Sequence, residues 1–232
     1  MNMVEAAEFM SESESTSVRI RLSCTETETL CYKATRGAGF SWGLAEEAAN
    51  AVGWLCLNGI DGTAVLLAAI VAPTFAVPEV SNEVWVNVDG KPLCPLTTGA
   101  AIIDFASSVF GRKDFRMQIG PVRQPALLLP FLAQCSEAIG GSFVVEWDER
   151  KLHVGNGIST DVETLSTFIS ASVATIVLHR SEHVIKPVSR TKFALASPYT
   201  IAALDALAMR TTVPATEQSR KSGAGAGTSD ND

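Results

Sequence analysis

The stretch SFVVEWDERKLHVG, residues 142–155, decides how this chain folds. SFVVEW (142–147) and KLHVG (151–155) flank the polar turn DER, and the pattern predicts an antiparallel hairpin. Upstream, Pro125 to Ile139 predicts a helix stopped by Gly140-Gly141. Before it, FRMQIG (115–120) predicts a strand and TTGAAIIDFASSVF (97–110) a helix. EVWVNV (83–88) predicts a strand that ends on an Asp89-Gly90 turn. Downstream, ISASVATIVLHR (169–180) and SRTKFALAS (189–197) predict two more strands, and Ser197-Pro198 opens a last helix to Arg210.

The first third is helical. Ser23-Cys24-Thr25-Glu26 fits a capping box, in which Ser and Glu satisfy each other's free amides, and the helix runs to Thr35 with Gly37 as its stop. Ser41 caps a second helix to Leu57, on which Leu44, Ala48, Val52 and Leu55 form a buried stripe. Asp61 caps a third, Gly62 to Val71, closed by Pro73. Helices and strands are segregated more than alternated. The fold class is therefore α+β, an N-terminal helical unit followed by mixed antiparallel strands and helices, in one compact domain over residues 18–232. Residues 1–17, rich in Ser and Glu, read as a disordered acidic leader.

Composition restricts function. The chain is 47% hydrophobic and 19% charged, with a mean hydropathy of +0.20. Its longest unbroken apolar run, Ala64 to Ala72, falls far short of the ~20 residues of a membrane helix. The apolar surplus must be buried in a core or between subunits, which predicts a homo-oligomer and no membrane partner. A net charge of −7 and a pI near 5.0 lack the positive field that nucleic acid requires. Five cysteines without a C-x-x-C pair read as buried thiols of a reducing compartment, and no basic-then-apolar signal opens the chain. The expected location is cytoplasmic.

Two segments concentrate candidate site residues. In Arg36-Gly-Ala-Gly-Phe-Ser-Trp-Gly an Arg, a flexible loop and a helix start come together. Free amides at the helix start and the forked guanidinium of Arg36 suit a carboxylate or phosphate. Trp42 could cover a small ligand, and Glu46 and Glu47, one turn on, could supply acid–base chemistry. The same parts also make an ordinary helix–turn–helix corner, with Arg36 serving one helix end and the glutamates the other. The second segment is the tail VPATEQSRKSGAGAGTSDND (213–232). Arg220, Ser222, Gly223, Gly225 and Asp230 could form an anion nest and strap there, or a solvated terminus. Arg123, in a stiff loop between a strand and a helix, is a further anion ligand. His179 and His183 have zinc-like spacing but lie at a strand end with no third ligand, so no metal is expected. Cys94, before a helix, reads as a reactive thiol or as a small buried hydrophobe.

TRGAGFSWGLAEEAANAVGWLCLNGIDG (35–62) and VPATEQSRKSGAGAGTSDND (213–232) together resemble the two ends of an uncharacterised bacterial family, a domain of unknown function of this length. The resemblance implies that the tail belongs to the folded unit, and it carries no activity. The leading expectation is a cytosolic isomerase, lyase or hydrolase for a small anionic metabolite, with no cofactor. Arg36, with Arg123 or Arg220, would hold the anion, and Glu46 or Glu47 would act as acid or base. The alternative is a non-catalytic subunit or assembly partner of a metabolic enzyme, whose tail inserts into a neighbouring chain.

If the tail is part of the fold, protease should cut at Arg220 and Lys221 more slowly than in residues 1–17. Deleting everything after Thr212 should leave the core folded, because every apolar stripe precedes it, while activity or partner binding is lost. Equal trimming at both ends, without consequence, would make the tail a plain terminus.

Overall fold

The structure, a computed structural model, describes residues 18–212 apart from 82, 111, 113, 183, 184, 186–190 and 192. The leader and the tail, with Arg220, Ser222, Gly223, Gly225 and Asp230, lie outside the described residues, as does His183. Strand β1 (Ile20–Ser23) runs directly into helix α1 (Cys24–Gly37). The capping box is present: the Glu26 amide donates to Ser23 Oγ at 3.2 Å and the Ser23 amide donates to Glu26 Oε2 at 2.8 Å. The Ser23 amide and hydroxyl, both donating to Glu26 Oε2, hold that carboxyl below its ordinary range. Helices α2 (Trp42–Leu57) and α3 (Gly62–Ile70) follow, capped by Ser41 and Asp61. Along α2, Ala48, Val52 and Leu55 are fully buried and Leu44 is half-buried.

The remaining elements form a helix layer on a sheet. Helices α4 (Pro95–Asp104), α5 (Leu128–Ile139) and α6 (Val162–Ser170) alternate with strands β2 (Val84–Trp85), β3 (Arg116–Arg123), β4 (Ser142–Trp147), β5 (Arg150–Val154), β6 (Ile158–Ser159) and β7 (Val173–Ser181). The six strands lie in the order β2-β3-β7-β4-β5-β6; β2 is parallel to β3 and all other pairs are antiparallel. Met117, Ile119, Ile176, Leu178, Phe143, Val145, Leu152 and Val154 are buried, on the face against which α5 and α6 pack. The opposite face carries Arg116, Gln118, Thr175, Val177, Glu146 and Lys151, all exposed or half-buried. Strand β8 (Phe193–Ala196) pairs antiparallel with β1, and α7 (Pro198–Ala208) packs along α1.

Several elements differ from the sequence-based expectation. EVWVNV shrinks to Val84–Trp85, where the Trp85 indole donates to the Ser81 carbonyl at 2.8 Å and a turn closes from Gly90 to Asn87. The predicted strand over 169–180 begins only at Val173. Residues 162–170 are helical because Asp161 accepts the Thr164 amide at 2.8 Å and Phe168 buries on the core side. The helix over 97–110 ends at Asp104 and a wider π turn covers Ala106–Phe110. The hairpin turn is tighter than expected, with Asp148 and Glu149 both left-handed (φ 42° and 62°) and Arg150 already in β5.

Gly37 does more than stop a helix. A Cβ built on it would lie 1.8 Å from the carbonyl oxygen of Leu207, so the backbones of α1 and α7 touch there. Gly37→Ala must push the helices apart. The overpacking cost of about 1–3 kcal/mol opposes a gain in helix propensity of about 1 kcal/mol. We expect a lower melting temperature; an unchanged or higher one would show that the two helices are free to separate.

Candidate functional site

The RGAGFSW corner is built by one turn. Gly39 takes φ +101°, in the left-handed region where a side chain is strained, and its amide donates to the Arg36 carbonyl at 2.9 Å. The turn sends the Phe40 ring inward, 2% exposed, and its amide donates to the Thr35 carbonyl at 3.3 Å. Arg36 Nη1 then donates to the Phe40 carbonyl. The same guanidinium lies over the Trp42 ring, 4.2 Å from its centroid. Tyr32 flanks that ring at 6.2 Å. From the segment after α3, Phe75 stacks on Phe40 at 4.8 Å.

Arg36 and Trp42 are therefore together, and Glu46 sits one helical turn beyond Trp42, exposed. Trp42 is 67% and Phe75 52% exposed, with Val71 and Val77 also exposed beside Phe75 in the chain. The corner is an aromatic surface carrying one guanidinium and one carboxylate.

The other candidates among the described residues go elsewhere. Arg123 Nη1 donates to the Ala72 carbonyl at 2.7 Å and Nη2 to Ala68 at 3.4 Å, so its fork closes the free end of α3. Glu47 faces a groove between α2 and α5. Burial, then the charges of Glu46 and Asp104, push its carboxyl above the ordinary range. Cys94 is the N-cap residue of α4 but is 1% exposed, and burial raises its thiol pKa against the helix amides. Burial likewise takes Cys56 to about 11 and Cys135 to about 12. These are packed, protonated thiols.

One polar cluster was not legible in the sequence. On the open sheet face, Arg116 Nη2 donates to Glu146 Oε2 at 3.0 Å and His179 Nε2 lies 3.2 Å from Glu146 Oε1. Partial burial raises the Glu146 carboxyl, but the bonds from His179 and Arg116 outweigh it and hold it below the ordinary range. Beside the cluster, Glu83, Arg112, Asp114, Arg116 and Gln118 line an open recess of about 670 Å³. The alternation of β3 and β7 could have placed Arg116 and His179 on exposed faces. Only the register Arg116↔His179 and Val144↔His179 brings them together with β4. No three His, Cys, Asp or Glu side chains among the described residues form a group that could hold a metal ion.

Residues 22–110 match the model of a family described as "Protein of unknown function (DUF3726)". The matched span contains the RGAGFSW corner, and the match agrees with the resemblance to an uncharacterised family. No curated protein matches the chain. Among solved structures, malate dehydrogenase from Entamoeba histolytica is similar at 11% identity and a TM-score of 0.41. That similarity covers 73% of this chain and 51% of the other, so the chain spans about half of that protein's length. The likeness is too slight to bear on activity. Among the described residues, no helix is long and apolar enough to cross a membrane.

Because Arg36 ties Phe40 to Trp42, Arg36→Lys should cost stability. Losing a charged hydrogen bond and a stacked ring amounts to about 1–2 kcal/mol, or a melting point lower by roughly 2–4 °C per kcal/mol. An unchanged melting point would release Arg36 from this structural duty.

Proposed function

We propose that the protein is a non-catalytic subunit or assembly partner of a metabolic enzyme, and that it associates first with a second copy of itself through the Arg36–Trp42–Phe75 corner. The observation that carries this is a tryptophan two-thirds exposed yet fixed between a guanidinium and a tyrosine. Trp, Tyr and Arg are the residues that dominate association energies, and side chains already held in place lose little entropy on docking. A twofold interface presents the same patch from both sides. This patch carries both signs of charge, Arg36 and Glu46, so one copy can complement the other. The high apolar fraction of the chain supports the same reading. The setting is the reducing cytoplasm, in keeping with five cysteines that form no disulfide among the described residues.

Light scattering at micromolar concentration should give a mass above the 24.6 kDa of one chain. Trp42→Ala should weaken association by about 2 kcal/mol and return the mass toward one chain without loss of fold. A wild-type monomer, or a variant that still associates equally well, would contradict the proposal.

A second reading draws on the open sheet face. In it the protein is an acid–base enzyme for a small anionic metabolite, held by Arg112 and Arg116, with Glu146 orienting His179 as the proton carrier. Titration with malonate, followed through the His179 ring resonances, tests it: saturable shifts that vanish in Arg116→Ala support the enzyme, and their absence removes it.

A further inference from the structure

We infer that the groove between α2 and α5 is a binding site for the ammonium head of a small alkyl amine, with Glu47 and Glu137 as counter-charges and Trp54 as the aromatic wall. The groove follows from two matched helical faces. Glu47, Asn50, Ala51 and Trp54 stand at i, i+3, i+4 and i+7 on α2; Pro130, Ala133, Gln134 and Glu137 repeat that spacing on α5. Ala51 and Ala133 leave room between the helices, and both are buried. The space is about 180 Å³, with Phe131 at its base. That suits a short alkyl stem and excludes a nucleotide.

The chemistry of the lining points to a cation. Its charged residues are two carboxylates, and no Lys or Arg lines it. No salt bridge to Glu47 or Glu137 occurs among the described residues. The amide oxygens of Asn50 and Gln134 can accept N–H bonds, and the face of Trp54 favours a cation above it. No three His, Cys, Asp or Glu side chains gather in a metal-holding group among the described residues, whereas an ammonium needs only counter-charge, acceptors and an apolar wall. Burial, then the charges of Glu46 and Asp104, raise the Glu47 pKa. A bound cation would relieve that repulsion. Binding requires the carboxylate, so affinity should fall as pH drops through the raised Glu47 value while the amine stays protonated. The inference does not rest on the docking proposal.

The test uses the full chain and n-butylammonium chloride, followed through the indole N–H resonance of Trp54, assigned with Trp54→Phe. We expect a saturable shift that sodium chloride and 1-butanol do not reproduce. Glu47→Gln and Glu137→Gln should each weaken binding at least tenfold. Glu137 is exposed, so its variant reports even if the Glu47 variant misfolds. Absence of a saturable shift, an equal response to 1-butanol, or undiminished binding in Glu137→Gln would overturn the inference.

Discussion

The contact on which the rest of the molecule depends is between backbones. At Gly37 the end of α1 meets the Leu207 carbonyl of α7 so closely that no side chain fits between them. This joins the first helix to the last one and fixes where α1 must stop. Below it, β1 and β8 pair antiparallel over Ile20↔Ala196 to Ser23↔Phe193, so the same two stretches are clamped at both ends. With α1 held, the turn through Gly39 has one course. Phe40 enters the core, its carbonyl faces Arg36, and Trp42 is left on the surface. The exposed corner is thus a consequence of interior packing.

Local chemistry was readable at several caps and stops. The box at Ser23 and Glu26, the caps at Ser41, Asp61 and Ser197, and the left-handed Gly140 all hold in the structure. Elements whose existence rests on distant partners were harder to see. Ile20–Ser23 is a strand only because β8 lies beside it. Val162–Ser170 places Val162, Leu165, Phe168 and Ile169 at helical spacing behind the Asp161 cap, although the sequence pattern assigns its last two residues to the start of the following strand. Among the described residues of the candidate site, the sequence located Arg36, Trp42 and Glu46 on one corner. It could not show that the Arg36 and Arg123 forks are turned toward carbonyl oxygens, since that depends on where helix ends lie in space.

That use of the arginines changes the electrostatic picture. A guanidinium that serves a helix end or a loop carbonyl has fewer free donors for a ligand. Arg36 and Arg123, both expected to hold an anion, donate to carbonyl oxygens, while the carboxylate of Glu47 faces a groove with no Lys or Arg in its lining. On the sheet face the charges are balanced within the cluster, with Glu146 shared by Arg116 and His179. The surface thus divides into an aromatic corner, an acidic groove and a neutralised polar face, each suited to a different kind of contact.

The central claim is that the corner is an interface. Hydrogen exchange measured at low and high protein concentration tests it most directly, because it reads the corner without altering it. If copies meet there, amides in residues 36–46 and 71–77 should exchange more slowly at high concentration while those of β4 and β5 stay unchanged. Exchange at the corner that is independent of concentration, or protection that appears on the open sheet face instead, would contradict the account.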